Sequence, residues 1–261
     1  SKEPWGGIAL QGPATAGSYL DNVRASGGTV PSSASVPYPA MVNIHDTRNI
    51  TVKNCRFTED NGAEDVFHAV YVEELNVEDT QVEDASSDAF DLEFVNGSLK
   101  RVQVRRAGDE GADLMGSNVE LVDSVLLGCG GNGISAGEET DLRIRDTLVA
   151  RAGVGVLAKN ASAVQLSDSL LYDNRIGIQV YRRDVRFEGD SQVTSDVLFV
   201  VQSKKDIKRD DRSQDSLDLG RIQRRLPQAG VLDHLAKDVL ALRHWDELPA
   251  WVEANSKRGE P

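Results

Sequence analysis

Gly111-Ala112-Asp113-Leu114, Gly133-Ile134-Ser135-Ala136, Gly155-Val156-Leu157-Ala158 and Gly177-Ile178-Gln179-Val180 share one pattern: glycine, apolar, any residue, then an apolar or small residue. Each begins 22 residues after the one before it. One step back the column starts at Phe90, so it reads Phe90, Ala112, Ile134, Val156, Ile178. A fixed period of this length marks stacked structural units, none of which buries an apolar face alone.

Two further columns keep nearly the same period. One runs Val52, Val77, Leu99, Leu121, Ile144, Leu166; the other runs Phe57, Val82, Val104, Leu126, Val149, Leu171. Around each, apolar and polar residues alternate, the period of a half-buried strand. Between these two columns lie Asn54, Asp79, Arg101, Asp123, Asp146 and Asp168, polar residues suited to a repeated bend. Three short strands per turn and no helix between them predict an all-β chain: a right-handed parallel β-helix of about seven to eight coils. A leucine-rich repeat has a similar period but needs a leucine-asparagine signature. Repeating hairpins of an up-and-down barrel do not fit.

The alternation assigns inside and outside. Inward are Phe90/Leu92, Ala112/Leu114, Ile134/Ala136, Val156/Ala158 and Ile178/Val180, with Val42/Ile44 and Val70/Val72 on two looser earlier coils. Ile8, Leu10, Leu20 and Val23 make an irregular first coil, and the Gly-, Ser- and Pro-rich stretch 27–39 reads as an excursion. The β-helix is expected over 1–202, a charged linker or loop over 203–228, and a C-terminal helical cap or docking segment over 229–261. That last segment has Val231, Leu232, Leu235, Val239 and Leu242 at helical spacing.

Composition narrows the function. A net charge of −13 argues against nucleic-acid and anionic-membrane partners, which need basic patches. No run of 18 apolar residues predicts membrane insertion. The start, Ser1-Lys2-Glu3-Pro4-Trp5, does not read as a signal peptide. Cys55 and Cys129 lie about three coils apart, roughly 14 Å at the ~4.8 Å strand spacing. A disulfide needs Cα atoms within about 7 Å, so two free thiols are expected.

Several strings carry a family resemblance: Pro4-Trp5-Gly6, Ser87-Asp88-Ala89-Phe90-Asp91-Leu92, Gly111-Ala112-Asp113-Leu114, Gly131-Asn132-Gly133-Ile134-Ser135-Ala136-Gly137-Glu138 and Ile178-Gln179-Val180-Tyr181-Arg182-Arg183. From Trp5 to about Gly189 the chain resembles bacterial right-handed β-helix domains of the pectate-lyase-like superfamily. More narrowly, it is similar to the β-helix modules that accompany spore-coat-H-like (CotH-type) kinase domains in bacterial surface proteins. No kinase signature is present, so the resemblance implies architecture and a surface context, extracellular or in the cell envelope. It also implies that chemistry belongs on the outward face of the first strand.

Outward on that face are Tyr71/Glu73, Asp91/Glu93, Asp113/Met115, Ser135/Gly137, Leu157/Lys159 and Gln179/Tyr181, beside a small-residue column, Ala89, Gly111, Gly133, Gly155 and Gly177, that suggests a shallow trough. Tyr71, Glu73, Asp91, Glu93, Asp113, Lys159 and Tyr181 are the candidate ligand-binding residues. Asp91 and Asp113 are expected one strand spacing apart, and such carboxylates need a shared proton, a cation or solvation. Asp88, Asp109 and Glu110 flank them. With Asp91 and Asp113 they form a candidate site for Ca2+, although no cofactor is required. If the chain is an enzyme, Asp91, Asp113 and Lys159 are the catalytic candidates. Lys159, however, lies two coils from Asp113, roughly 10 Å by strand spacing, too far for a compact set. His45 and His68 fall on neighbouring coils, while His234 and His244 lie in the expected helical segment.

The first expectation is therefore a non-catalytic β-helix module of a secreted or cell-surface bacterial protein, presenting a groove or face to a glycan or a protein partner. The alternatives are a polysaccharide-active lyase, epimerase or hydrolase using the stacked Asp pair, and a structural subunit docking through its C-terminal helices.

Overall fold

The computed structural model describes residues 5–30, 38–60, 62–181, 184, 186–187, 189–209 and 216–224, with Ala250 and Ala254. Its strands wind into a parallel β-helix of about seven turns with three faces. The first face is built from Ile8–Gln11, the leading halves of Ala40–Lys53, Asp65–Glu78 and Asp88–Lys100, then Ala112–Met115, Asn132–Gly137, Val154–Lys159 and Ile176–Tyr181. Every neighbouring pair on this face is parallel.

The 22-residue column is one line of the core. Ala112, Ile134, Val156 and Ile178 pair in register, as do Leu92, Leu114, Ala136, Ala158 and Val180. All are buried. At the wider, earlier coils the core is filled by Phe57, Phe67 and Phe90, with successive ring centroids 6.4 and 5.4 Å apart. The two cysteines are free and buried.

The polar bend column takes the conformation its residue types favour. Asn54, Asp79, Arg101, Asp123, Asp146 and Asp168 all have φ between 47° and 54°, a left-handed region that Asn and Asp tolerate well. After each bend comes a small, mostly polar residue. The Ser124 hydroxyl accepts from Val102 N and donates to Val122 O, and Ser169 repeats this against Thr147 N and Ser167 O. These hydroxyls satisfy backbone groups that the bend removes from the sheet ladder.

Four expectations are corrected. On the first face, the inward pair of the coil after Val42/Ile44 is Phe67/Ala69; Val72 is buried in the core as expected, but past the bend, and Val70 is not inward. Val70 instead stands opposite Glu93, and Tyr71 and Glu73 fall beyond the Asp91/Glu93 column. The reason is spacing: this coil follows its predecessor by 25 residues, because the preceding coil takes up extra chain, mostly between Thr58 and Asp65. The glycine column does not line an outward trough. A Cβ on Gly111 would lie 2.8 Å from Leu126 Cδ2, and one on Gly133 would lie 2.1 Å from Val149 Cγ1. These positions therefore form a tight interior corner against the third face. Within 203–228, two strands replace the expected linker: Lys205–Arg209 pairs with Ile176–Tyr181, and Ser216–Gln223 pairs with Gln192–Val201. Ile207 stacks on Ile178, and the basic residues around it take non-core positions, so high charge is compatible with a strand. The 229–261 helical segment, like residues 31–37 of the excursion, lies outside the described residues apart from Ala250 and Ala254.

Candidate functional site

The outward column of the first face runs Asn43, His68, Asp91, Asp113, Ser135, Leu157, Gln179. A second line, two residues on, runs His45, Val70, Glu93, Met115, Gly137. At the entry to the strands, Asp65 pairs with Asp88. Strand alternation points these side chains away from the core, and parallel pairing sets neighbours about 4.8 Å apart.

The site is crowded and poorly solvated. His45 and His68 are both buried, with His45 Nε2 2.9 Å from His68 Nδ1. His68 Nε2 in turn faces Asp91 Oδ2 at 3.6 Å. Burial lowers both imidazoles, His68 to about 4 with the neighbouring His45 adding to the effect. Both are neutral at pH 7. Asp91 moves the other way: burial first, then the charges of Asp65, Asp113, Glu93 and Asp88, raise it to about 8. Asp65 is raised to about 7 by burial and by Asp88 and Glu64. Asp88 and Glu110, which interact directly, are both raised by burial, and burial also raises Glu93. Asp113 contributes its charge to every one of these carboxyl shifts. The face thus sets imidazoles lowered by burial beside carboxyls raised by it, Asp91 most clearly, the arrangement general acid–base chemistry uses.

Lys159 departs most from the sequence reading. Its Nζ lies 4.0 Å from Asp113 Oδ1, although two coils separate them. The side chain crosses the intervening coil at Gly137, where an added Cβ would be only 2.5 Å from Lys159 Cε. A glycine slot and the long lysine stem together bridge the two coils. Counting strands alone missed this.

The five expected metal ligands divide. Carboxylate oxygens of Asp88, Asp109 and Glu110 lie within 4.8 Å of one another, while Asp91 groups with His68 and Glu93. Asp113 faces Lys159. Within the first group, Glu110 N donates to Asp88 Oδ1 at 2.8 Å, and Asn132 Nδ2 donates to Glu110 Oε1 at 2.6 Å. Tyr181 pairs in register with Lys159 at the far end of the face, and Glu73 is exposed on the next face's approach. His68 and Asp65 were absent from the sequence-derived set. Their signal was the acidic, histidine-bearing string Glu64-Asp65-Val66-Phe67-His68, obscured by the misplaced register of that coil.

The parallel coils and their three faces define the class of protein. The chain belongs to the right-handed β-helix region family, whose model matches residues 40–191. Among solved structures it is similar to the periplasmic alginate epimerase AlgG, at 14% identity and a TM-score of 0.60, covering 72% of this chain and 48% of that one. A point mutant of AlgG matches at 14% identity and a TM-score of 0.62, over 71% and 48%. The A-module of the Azotobacter vinelandii mannuronan C-5 epimerase AlgE4 matches at 12% identity and a TM-score of 0.47, over 83% and 79%. The chain spans about half the length of the AlgG chain it matches. No curated protein matches it in sequence. The β-helix fold is shared with polysaccharide-active enzymes. Among the described residues, no helix is long and apolar enough to cross a membrane.

Proposed function

We propose that this chain is a polysaccharide-active enzyme that cleaves a glycosidic bond by acid–base catalysis on the outward first face. The observation that carries this reading is the approach of Lys159 Nζ to Asp113 Oδ1, beside Asp91, whose carboxyl burial and neighbouring acids raise to about 8. It supplies the compact set that strand counting alone seemed to forbid. Asp91, as a carboxylic acid, gives its proton to the glycosidic oxygen as the bond to the anomeric carbon breaks. Asp113, its charge balanced by Lys159, attacks that carbon and forms a glycosyl ester. Water then hydrolyses the ester, returning a proton to Asp91. Stacked strands place the two carboxyls near the ~5 to 5.5 Å separation of retaining hydrolases. Neutral His68 flanks Asp91 and orients it.

An uncharged glycan suits the face better than a uronate. On the coils from Asn43 to Lys159, the two outward lines carry one lysine or arginine among the described residues, Lys159, against Asp91, Glu93 and Asp113. The hydrolase reading therefore stands ahead of a lyase or epimerase, despite the fold likeness to AlgG. The test is release of reducing ends, and of unsaturated products, from a panel of neutral and uronate polysaccharides. Asp91→Asn is expected to lower turnover of a neutral polymer about a hundredfold or more. Binding with no turnover would instead return the chain to a non-catalytic glycan-binding module.

Two further parts belong to this reading. Asp88, Asp109 and Glu110 are the proposed holders of a hard divalent cation such as Ca2+, supported by their converging oxygens. Millimolar calcium is then expected to raise the melting temperature of the wild type but not of Asp88→Asn/Glu110→Gln. A secreted or cell-envelope location, with a wider surface-protein context, fits a glycan substrate and the periplasmic setting of AlgG.

A further inference from the structure

Between the first and second faces the chain bends through a column of left-handed residues: Asp46, Tyr71, Phe94, Gly116, Glu138 and Asn160, with φ from 52° to 58°. Gly and Asn adopt this region readily and Asp tolerates it, but bulky side chains there are outliers. Tyr71 and Phe94 are the aromatic members, and they sit on the two coils that carry His68 and Asp91, each three residues further on. Both are also exposed, at 56% and 43%. Their rings stack, with centroids 4.9 Å apart and planes 9° from parallel. Gly116 closes against the far side of Phe94, where an added Cβ would lie 2.7 Å from the ring. A cleft of about 490 Å³ adjoins, with Phe94, Met115 and Phe187 as its apolar wall and Glu138, Glu139 and Arg186 on its rim. Met115 pairs with Glu93, so this cleft runs directly into the acid–base face.

Two strained backbone positions that each display an aromatic ring to water lower stability twice over. Strain retained beside a reactive site points to function. We propose that Tyr71, Phe94 and the adjoining cleft form a sugar-stacking subsite that binds an uncharged pyranose ring of the polysaccharide next to the one being cleaved. The aromatic faces take the apolar C–H side of the ring, and the acidic rim accepts hydrogen bonds from its hydroxyls. Arg186 on that rim is held by Asp184, which leaves Glu138 and Glu139 to repel a uronate. This inference rests on the polysaccharide reading above, but the two fail separately.

The test uses the full chain and the double substitution Tyr71→Asn/Phe94→Asn, because Asn is at ease at positive φ. Cellohexaose, laminarihexaose and mannohexaose serve as neutral probes, and hexagalacturonate as the charged comparator. Wild type is expected to bind at least one neutral hexamer. The double variant is expected to bind it about tenfold more weakly or worse, since each aromatic contact contributes up to about that factor. Its melting temperature should be unchanged or higher, which separates lost stacking from lost folding. Unchanged affinity in the double variant, a preference for hexagalacturonate, or no hexamer bound by wild type overturns the subsite. Loss of turnover in Asp91→Asn with that affinity loss absent would leave the catalytic reading standing alone. Binding that needs the aromatics, with no turnover in wild type, would leave the subsite standing alone.

Discussion

The two halves of one outward column differ in chemistry while sharing a backbone. Asn43, His68, Asp91 and Asp113 occupy its early coils; Ser135, Leu157 and Gln179 occupy its later ones. The register is unbroken and the buried partners are alike, Phe90 and Leu92 beneath one half, Val156 and Ala158 beneath the other. The fold therefore supplies spacing, and the outward residues alone decide whether a coil is reactive. The early half concentrates desolvated acids and imidazoles, the later half carries uncharged residues with an apolar patch of Val154, Leu157 and Ile176, and Lys159 reaches from one to the other.

The largest effect should come from the shared interior. Phe90→Ala empties a fully buried position stacked on Phe67 and is expected to cost about 3–5 kcal/mol in denaturant unfolding. A loss under 1 kcal/mol would mean the early coils are not packed as described. Next comes the bridge between the halves. Lys159→Met is expected to lower turnover of a neutral polysaccharide about a hundredfold, the scale of losing one electrostatic contact to a reacting charge, with little change in melting temperature. Gly137→Val, which fills the slot Lys159 crosses, should act in the same direction but more weakly.

The smallest effect separates the halves by pH. Burial and like charges raise Asp91 to about 8, above the ordinary carboxylate value near 3.9. Its contribution to stability is fully present below about pH 4 and is lost as pH rises to about 8. His68, lowered to about 4, works oppositely, and its contribution is lost as pH falls from about 6.5 through 4. Wild-type melting temperature is thus expected to decline from about pH 6.5 to 8.5, and Asp91→Asn to flatten that decline. Gln179→Ala, on the later half, should leave the slope unchanged. Equal slopes in all three proteins would remove the distinction between the halves.

Most of the scaffold was legible in the sequence because its causes are local and periodic. The 22-residue column, the inward pairs from Phe90 to Val180 and the Asn/Asp bends each express one rule repeated coil after coil. The site was legible in part. Asp91 and Asp113 stack as the spacing required, but the register of the preceding coil slipped at Val70, since both Val70/Val72 and Phe67/Ala69 alternate equally well. Strand counting places Lys159 too far away because it takes no account of side-chain length or of the gap a glycine leaves. The strand Lys205–Arg209 was hidden because its inward signal is little more than Ile207 among lysines and arginines. The left-handed Tyr71 and Phe94 gave no sequence warning, since aromatic residues are not a turn signature.

The account depends most on a carboxylic acid that keeps its proton at neutral pH beside an unprotonated imidazole. Titration of the Asp91 side-chain carboxyl by carbon NMR, assigned by difference from Asp91→Asn, measures this directly. A midpoint near 8 is predicted; a midpoint near 4, with the chain folded throughout, would contradict it.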